Sequence, residues 1–168
     1  MKLLPFDDYI ACPNAEVGIS SEQELRMISE CLCYVQKMAT QFKISIPVTG
    51  TAMTIFHLYQ KRVPFTEFDR YMLSTLCVFI AGKIDYTNMR YEDIMRFYYA
   101  NRKGPKAKTK PFEALIHDLR EDFTDLEMKV LTSFQFDFEF DSPFRYLENF
   151  KNSFLSYLKT QHSHVTFD

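Results

Sequence analysis

The 168-residue chain has no tryptophan, four glycines and four cysteines, and it has no long uninterrupted apolar run. So few glycines argue against a turn-rich β fold. Cys12, Cys31, Cys33 and Cys77 show no disulfide-framework spacing, and reduced thiols are what an intracellular protein carries. The one suggestive pair, Cys31-x-Cys33, would point to different faces of a helix and lacks the usual zinc spacings, so it reads as ordinary helix residues. The opening MKLLPFDDY lacks the apolar core of a secretory leader, and nothing approaches the roughly 20 apolar residues of a bilayer span, so a soluble intracellular protein is expected. A net charge of −2 supplies no global field toward nucleic acid or membrane, which argues against direct nucleic-acid binding. There is no glycine-rich phosphate loop, no paired acids in a cleft signature and no Ser/His/Asp order. His57 and His117 stand singly, and His162-x-His164 has no further ligands beside it. No catalytic residue, cofactor or metal is therefore assigned.

What the chain does have is apolar and aromatic bulk, with 17 phenylalanines and a length suited to one domain with a real core. Its densest part is Asp69–Tyr86, DRYMLSTLCVFIAGKIDY. Wound at the helical period, Met72, Leu73, Leu76, Cys77, Val78, Phe79, Ile80 and Ala81 leave almost no polar stripe. A helix apolar nearly all round is one that others wrap. Lys83 follows one turn later. A lysine closing such a helix either snorkels at the rim or meets an oxygen partner.

In chain order, residues 1–20 read as an extended arm, interrupted by Pro5 and Pro13. Ser21-x-x-Glu24 reads as a capping box. It opens a helix to about Phe42, with Leu25, Ile28, Leu32, Val35 and Ala39 on one face. Ile44–Pro47 connects to a second helix, with Ala52, Ile55, Phe56 and Tyr59 inward, stopped by Pro64. Thr66 is the expected cap of the third, central helix. Thr87 or Asn88 would cap a fourth, with Tyr91, Ile94, Met95 and Tyr98 inward. NRKGPKAKTK, Asn101–Lys110, reads as an exposed basic loop. Its Arg102, Lys103, Lys106, Lys108 and Lys110 could contact phosphate or RNA, but no aromatics are interleaved for stacking and a solvated loop is the simpler account. A fifth helix over Pro111–Phe134 is expected to break near Asp122–Thr124. Phe136–Phe140 alternates like a strand but has no partner, so it reads as a connector. Ser142-Pro143 opens a last helix whose stripe is Phe144, Leu147, Phe154 and Leu158. The reading is all-α: five helices around a central third, plus an extra C-terminal helix. The expected division is an arm at 1–20, one domain at 21–140, and a helix and tail at 141–168. The C-terminal stripe should fold back on the domain or pair weakly between chains as a homodimer.

Two stretches carry a resemblance. The first is Phe65-x-x-Phe68-x-Arg70-Tyr71, followed by Cys77-Val78-Phe79-Ile80-Ala81-Gly82-Lys83-Ile84-Asp85. The second is Leu126-Glu127-x-x-Val130-Leu131-x-x-Phe134-x-Phe136-Asp137-Phe138, followed by Ser142-Pro143-Phe144. Together they resemble the cyclin box, and within that family the transcriptional cyclins of types K, T, L and C, type K nearest. The resemblance implies a five-helix bundle around its third helix. It implies a regulatory subunit that binds and activates a cyclin-dependent kinase, forming a heterodimer without catalysis of its own. By analogy the complex would act in the nucleus, in transcription by RNA polymerase II. It places the kinase-binding lysine on Lys83 and its partner acid on Glu127, with Phe79, Ile80, Ile84, Leu131 and Phe136 as the apolar contact.

The chain departs from that pattern in three respects, one of them the basic loop Arg102–Lys110, which matches no motif of these cyclins. Where these cyclins usually carry two acids after the lysine, it has Asp85 and then Tyr86, so one acidic contact has no counterpart. It also stops after what would be the first helix of a second box, as a single-box cyclin or an excised fragment would. Two other readings stand beside the kinase reading. One is a nucleic-acid-associated cyclin-box transcription factor, which needs a basic face beyond one loop. The other is a single-box cyclin of a nutrient-signalling kinase.

Overall fold

The computed structural model describes residues 13–101, 112–139 and 143–161, with the side chains at 143–145, 148 and 159–161 left out. Among these residues there are seven helices and no strand: α1 Pro13–Glu16, α2 Ser21–Phe42, α3 Ile46–Gln60, α4 Arg70–Ile84, α5 Tyr91–Asn101, α6 Phe112–Ser133 and α7 Pro143–Gln161. The basic stretch 102–110 lies outside the described residues.

α4 is the axis, as its composition predicts. From Tyr71 to Gly82 every residue but Phe79 is buried, and α2, α3, α5 and α6 all pack on it. Leu73, Leu76 and Cys77 have no exposed surface and Ile80 has 3%. Its few polar groups are satisfied within the bundle. Ser74 and Thr75 donate back to the carbonyls of Arg70 and Tyr71, and Tyr34 shares a 3.1 Å hydrogen bond with Thr75. Burying hydroxyls without partners would cost stability instead.

Several local expectations are corrected. The capping box of α2 is Ser20 with Gln23, one residue before Ser21 with Glu24: the Gln23 N–H donates to Ser20 Oγ and the Ser20 N–H to Gln23 Oε1. Both serines satisfy the sequence pattern, and Ser20 is the one with extended backbone. The inward stripe of α2 is Cys31, Tyr34, Val35, Met38 and Ala39, and Leu25 is exposed. α4 is capped by Asp69 rather than Thr66. Its Oδ1 accepts from the amides of Tyr71 and Met72, and its Oδ2 from the Tyr98 hydroxyl, tying α5 to the start of α4. α3 ends at Gln60, ahead of Pro64, and α5 begins at Tyr91, past Thr87 and Asn88.

α6 does not break at Asp122–Thr124. Phe123 is held edge-on between the rings of Phe79 and Tyr91, and that packing overrides the weak helix preference of its neighbours. Two ion pairs, Arg96–Glu113 and Arg120–Glu92, also link α5 to α6.

Residues 13–16 are not extended. Pro13 opens a helical turn, where its ring is tolerated, and Asn14 is wholly buried. Asn14 Oδ1 accepts from the Phe65 amide at 2.8 Å, and its Nδ2 donates to Glu24 at 3.1 Å and Gln60 at 3.5 Å. Of the expected stripe of α7, Leu147 and Phe154 are exposed, Leu158 is half-buried and the side chain of Phe144 lies outside the described ones.

Candidate docking site

Lys83 and Glu127 stand 44 positions apart in the chain and meet across the α4–α6 contact, with Nζ 2.7 Å from Oε1. The sequence brings them there because both helices lie against each other and each residue faces outward from a buried turn. Ala81 and Gly82 are buried just before Lys83, and Leu126 just before Glu127. The ammonium also lies 4.3 Å from the centre of the Phe79 ring. Phe79 is the one α4 residue between Tyr71 and Gly82 that is not buried, and it leans on Phe123. The lysine is therefore held by a carboxylate on one side and an aromatic face on the other.

The apolar surround is partly as expected. Ile84 and Phe136 are exposed, at 41% and 63%, and Leu131 is partly buried. Ile80 is a correction: it is 3% exposed within the bundle, whereas Ile84, one turn further along the same face, is the last residue of α4 and is exposed. Phe144 lies outside the described side chains.

The turns that end both helices complete the site. After α4, the Thr87 amide donates to the Gly82 carbonyl and the Tyr86 amide to that of Lys83. After α6, the Phe136 amide donates to Leu131 and that of Gln135 to Thr132. Both are Schellman closures, which place the residue past the cap in the left-handed conformation usually given to glycine. Here Tyr86, Gln135 and Phe136 take it, with φ of 55°, 53° and 59°. Sequence reading does not find these turns, because no glycine marks either one.

Gly82 has a second role. A Cβ there would collide with Met89 Cε, so Met89 closes over the last turn of α4. Thr87 Oγ1 steadies Asp85 with a 3.3 Å hydrogen bond. Among the described residues, no three His, Cys, Asp or Glu side chains gather where they could hold a metal ion. No described helix is long and apolar enough to cross a membrane.

Residues 7–139 match the family described as the cyclin N-terminal domain. The chain is similar to human cyclin-K, with 23% identity over 83% of this chain and 23% of that protein. It is similar to the CTD kinase subunit beta of Schizosaccharomyces pombe, at 25% over 79% of this chain and 40% of that one. Cyclin-T1-5 of Arabidopsis thaliana matches at 24% over 79% of this chain and 24% of its own length. The chain thus spans between about a quarter and two fifths of the length of these relatives. With most of its length in that match and α4 central in the bundle, the chain belongs to the cyclin N-terminal domain family.

Proposed function

We propose that this chain is a kinase regulatory subunit without catalysis of its own. It binds a cyclin-dependent kinase through the face around Lys83 and Glu127 and activates it, and the kinase acts in RNA polymerase II transcription in the nucleus. The observation that carries the reading is the preformed 2.7 Å pair, set at the surface among Phe79, Ile84, Leu131 and Phe136. A charge pair at the surface, on helices that also carry partly and fully exposed apolar side chains, is what a partner helix can cover while its own backbone groups bond to the charges. Activation then follows from preference. A subunit that binds the inward, catalysis-ready position of the kinase's regulatory helix better than the outward one shifts the population toward activity. The names cyclin-K and CTD kinase subunit beta, borne by relatives, support the choice of kinase class.

The test is a double-mutant cycle on Lys83→Ala and Glu127→Ala, read as affinity for recombinant transcriptional cyclin-dependent kinases and as their activity. Each change should weaken binding by about 2–5 kcal/mol, and the two together by less than the sum, because they share one network. Unchanged affinity in both single variants, with the fold intact, rejects the docking site.

A further inference from the structure

We infer that Tyr86 is the aromatic anchor of this docking face and a determinant of which kinase it accepts. The inference rests on the docking reading above and adds a residue and a partner chemistry to it. Tyr86 is 95% exposed, the most exposed of the large apolar side chains described, and it stands three residues from Lys83. Its backbone is left-handed, with φ of 55°, at the position after the α4 cap where glycine is the ordinary residue. A bulky aromatic there is strained, since its Cβ crowds the neighbouring carbonyl. Nothing inside the molecule repays that strain through burial, because the ring packs on almost nothing.

The conformation is nevertheless fixed. The Tyr86 and Thr87 amides are both bonded back to the last turn of α4. Asp85 is tied to Thr87, and Met89 closes over Gly82. A rigid loop therefore presents a solvent-facing ring three residues past Lys83, with Ile84 also exposed. Strain held at an exposed position by surrounding bonds marks a site where the side chain acts outside its own fold.

The chemistry of the ring says what it meets. A carboxylate at this edge would call for a cation on the partner. Tyrosine instead buries its face against apolar side chains and keeps a hydroxyl for one hydrogen bond, with little side-chain entropy to lose. The kinase that fits presents an apolar recess at this edge rather than an isolated lysine. Its contact here is insensitive to salt, unlike a charge–charge contact.

The experiment titrates the full chain and its variants against a panel of recombinant cyclin-dependent kinases, alongside melting temperatures of the free proteins. Tyr86→Gly relieves the left-handed strain, so its melting temperature should not fall, while affinity for the kinase bound by the parent chain drops about tenfold. Tyr86→Asn, which also tolerates this conformation, should lose affinity to the same degree, and Tyr86→Phe should stay within about threefold. Tyr86→Glu should lose affinity and make the remainder salt-dependent. Parent-like affinity in Tyr86→Gly and Tyr86→Asn overturns the inference. If Lys83→Ala weakens binding while those variants do not, this inference alone fails. If Lys83→Ala is also without effect, the docking reading fails with it.

Discussion

Glu127 is the enclosed partner and Lys83 the open one: their side chains are 17% and 54% exposed across a 2.7 Å contact. Removing one is therefore not equivalent to removing the other in the free protein. Glu127→Ala leaves an ammonium that still has water and the Phe79 face. Lys83→Ala leaves a carboxylate with little water and no cation. Both losses should stay within about 1 kcal/mol, as for other pairs open to solvent, with Lys83→Ala the larger. Denaturant midpoints with unchanged slopes check this, and the opposite order would show that the unpaired Lys83 ammonium, rather than the unpaired Glu127 carboxylate, is the costlier group to leave behind.

Asn14 should matter more to stability than any ion pair on the surface. Among the described residues its side chain is the partner of the buried Phe65 amide, and it reaches Glu24 and Gln60 as well. Asn14→Ala strands that amide and the Gln60 oxygen, at a cost of about 1–3 kcal/mol. The expected readout is a lower urea midpoint. Hydrogen exchange should speed up first at Phe65 and its neighbours.

Gly82 and Met89 should behave as one unit. Gly82→Ala drives a methyl group into Met89 Cε, the free end of a flexible side chain that can move aside. The cost should fall in the usual range for overpacking, about 1–3 kcal/mol. Met89→Ala clears the space, so the double variant should be more stable than the sum of the two single losses. Strict additivity would mean that the 85–89 segment moves away from α4 and takes the clash with it.

Alkaline pH should unfold the protein through its buried thiols. Burial pushes the Cys31 thiol up to about 11 from 9.0, and it raises Cys77 and the Tyr34 hydroxyl above their ordinary values too. The unfolded chain loses these protons first. Stability is thus complete below about pH 9 and falls as pH rises toward 11, on the order of 1–3 kcal/mol for Cys31 alone. Denaturation midpoints from pH 7 to 11 measure the slope. Residue-mapped alkylation of the native protein should label exposed Cys33 and spare Cys31 and Cys77.

The buried path of the chain is legible in the sequence because apolar mass and helical period state it directly. The α4 run, the inward Ile55, Phe56 and Tyr59, and Ile94, Met95 and Tyr98 all fall where the periodicity puts them. The meeting of Lys83 and Glu127 is legible only through family resemblance, since nothing local ties positions 44 apart. What stays hidden depends on partners far along the chain or on backbone angles. Asn14 looks like an arm residue until Phe65 is beside it, Asp69 outranks Thr66 because Tyr98 reaches it, and Tyr86 carries no sign of its left-handed turn. Ile80 is indistinguishable from Ile84 by composition and shares its helix face, and only how far the packed helices reach along α4 separates core from surface.

An axis that is apolar nearly all round sets the order of events at the ribosome. α2 and α3 leave the exit tunnel before α4 and can offer it one wall at once. The opposite wall, α5 and α6, follows only after about fifty more residues, a delay on the order of seconds at ordinary synthesis rates. Through that interval the nascent chain carries one uncovered flank of its greasiest segment. Chains stalled just past Ile84 are therefore the ones that chaperones should hold longest, and stop codons placed between α4 and α6 should yield aggregates rather than shortened folded forms.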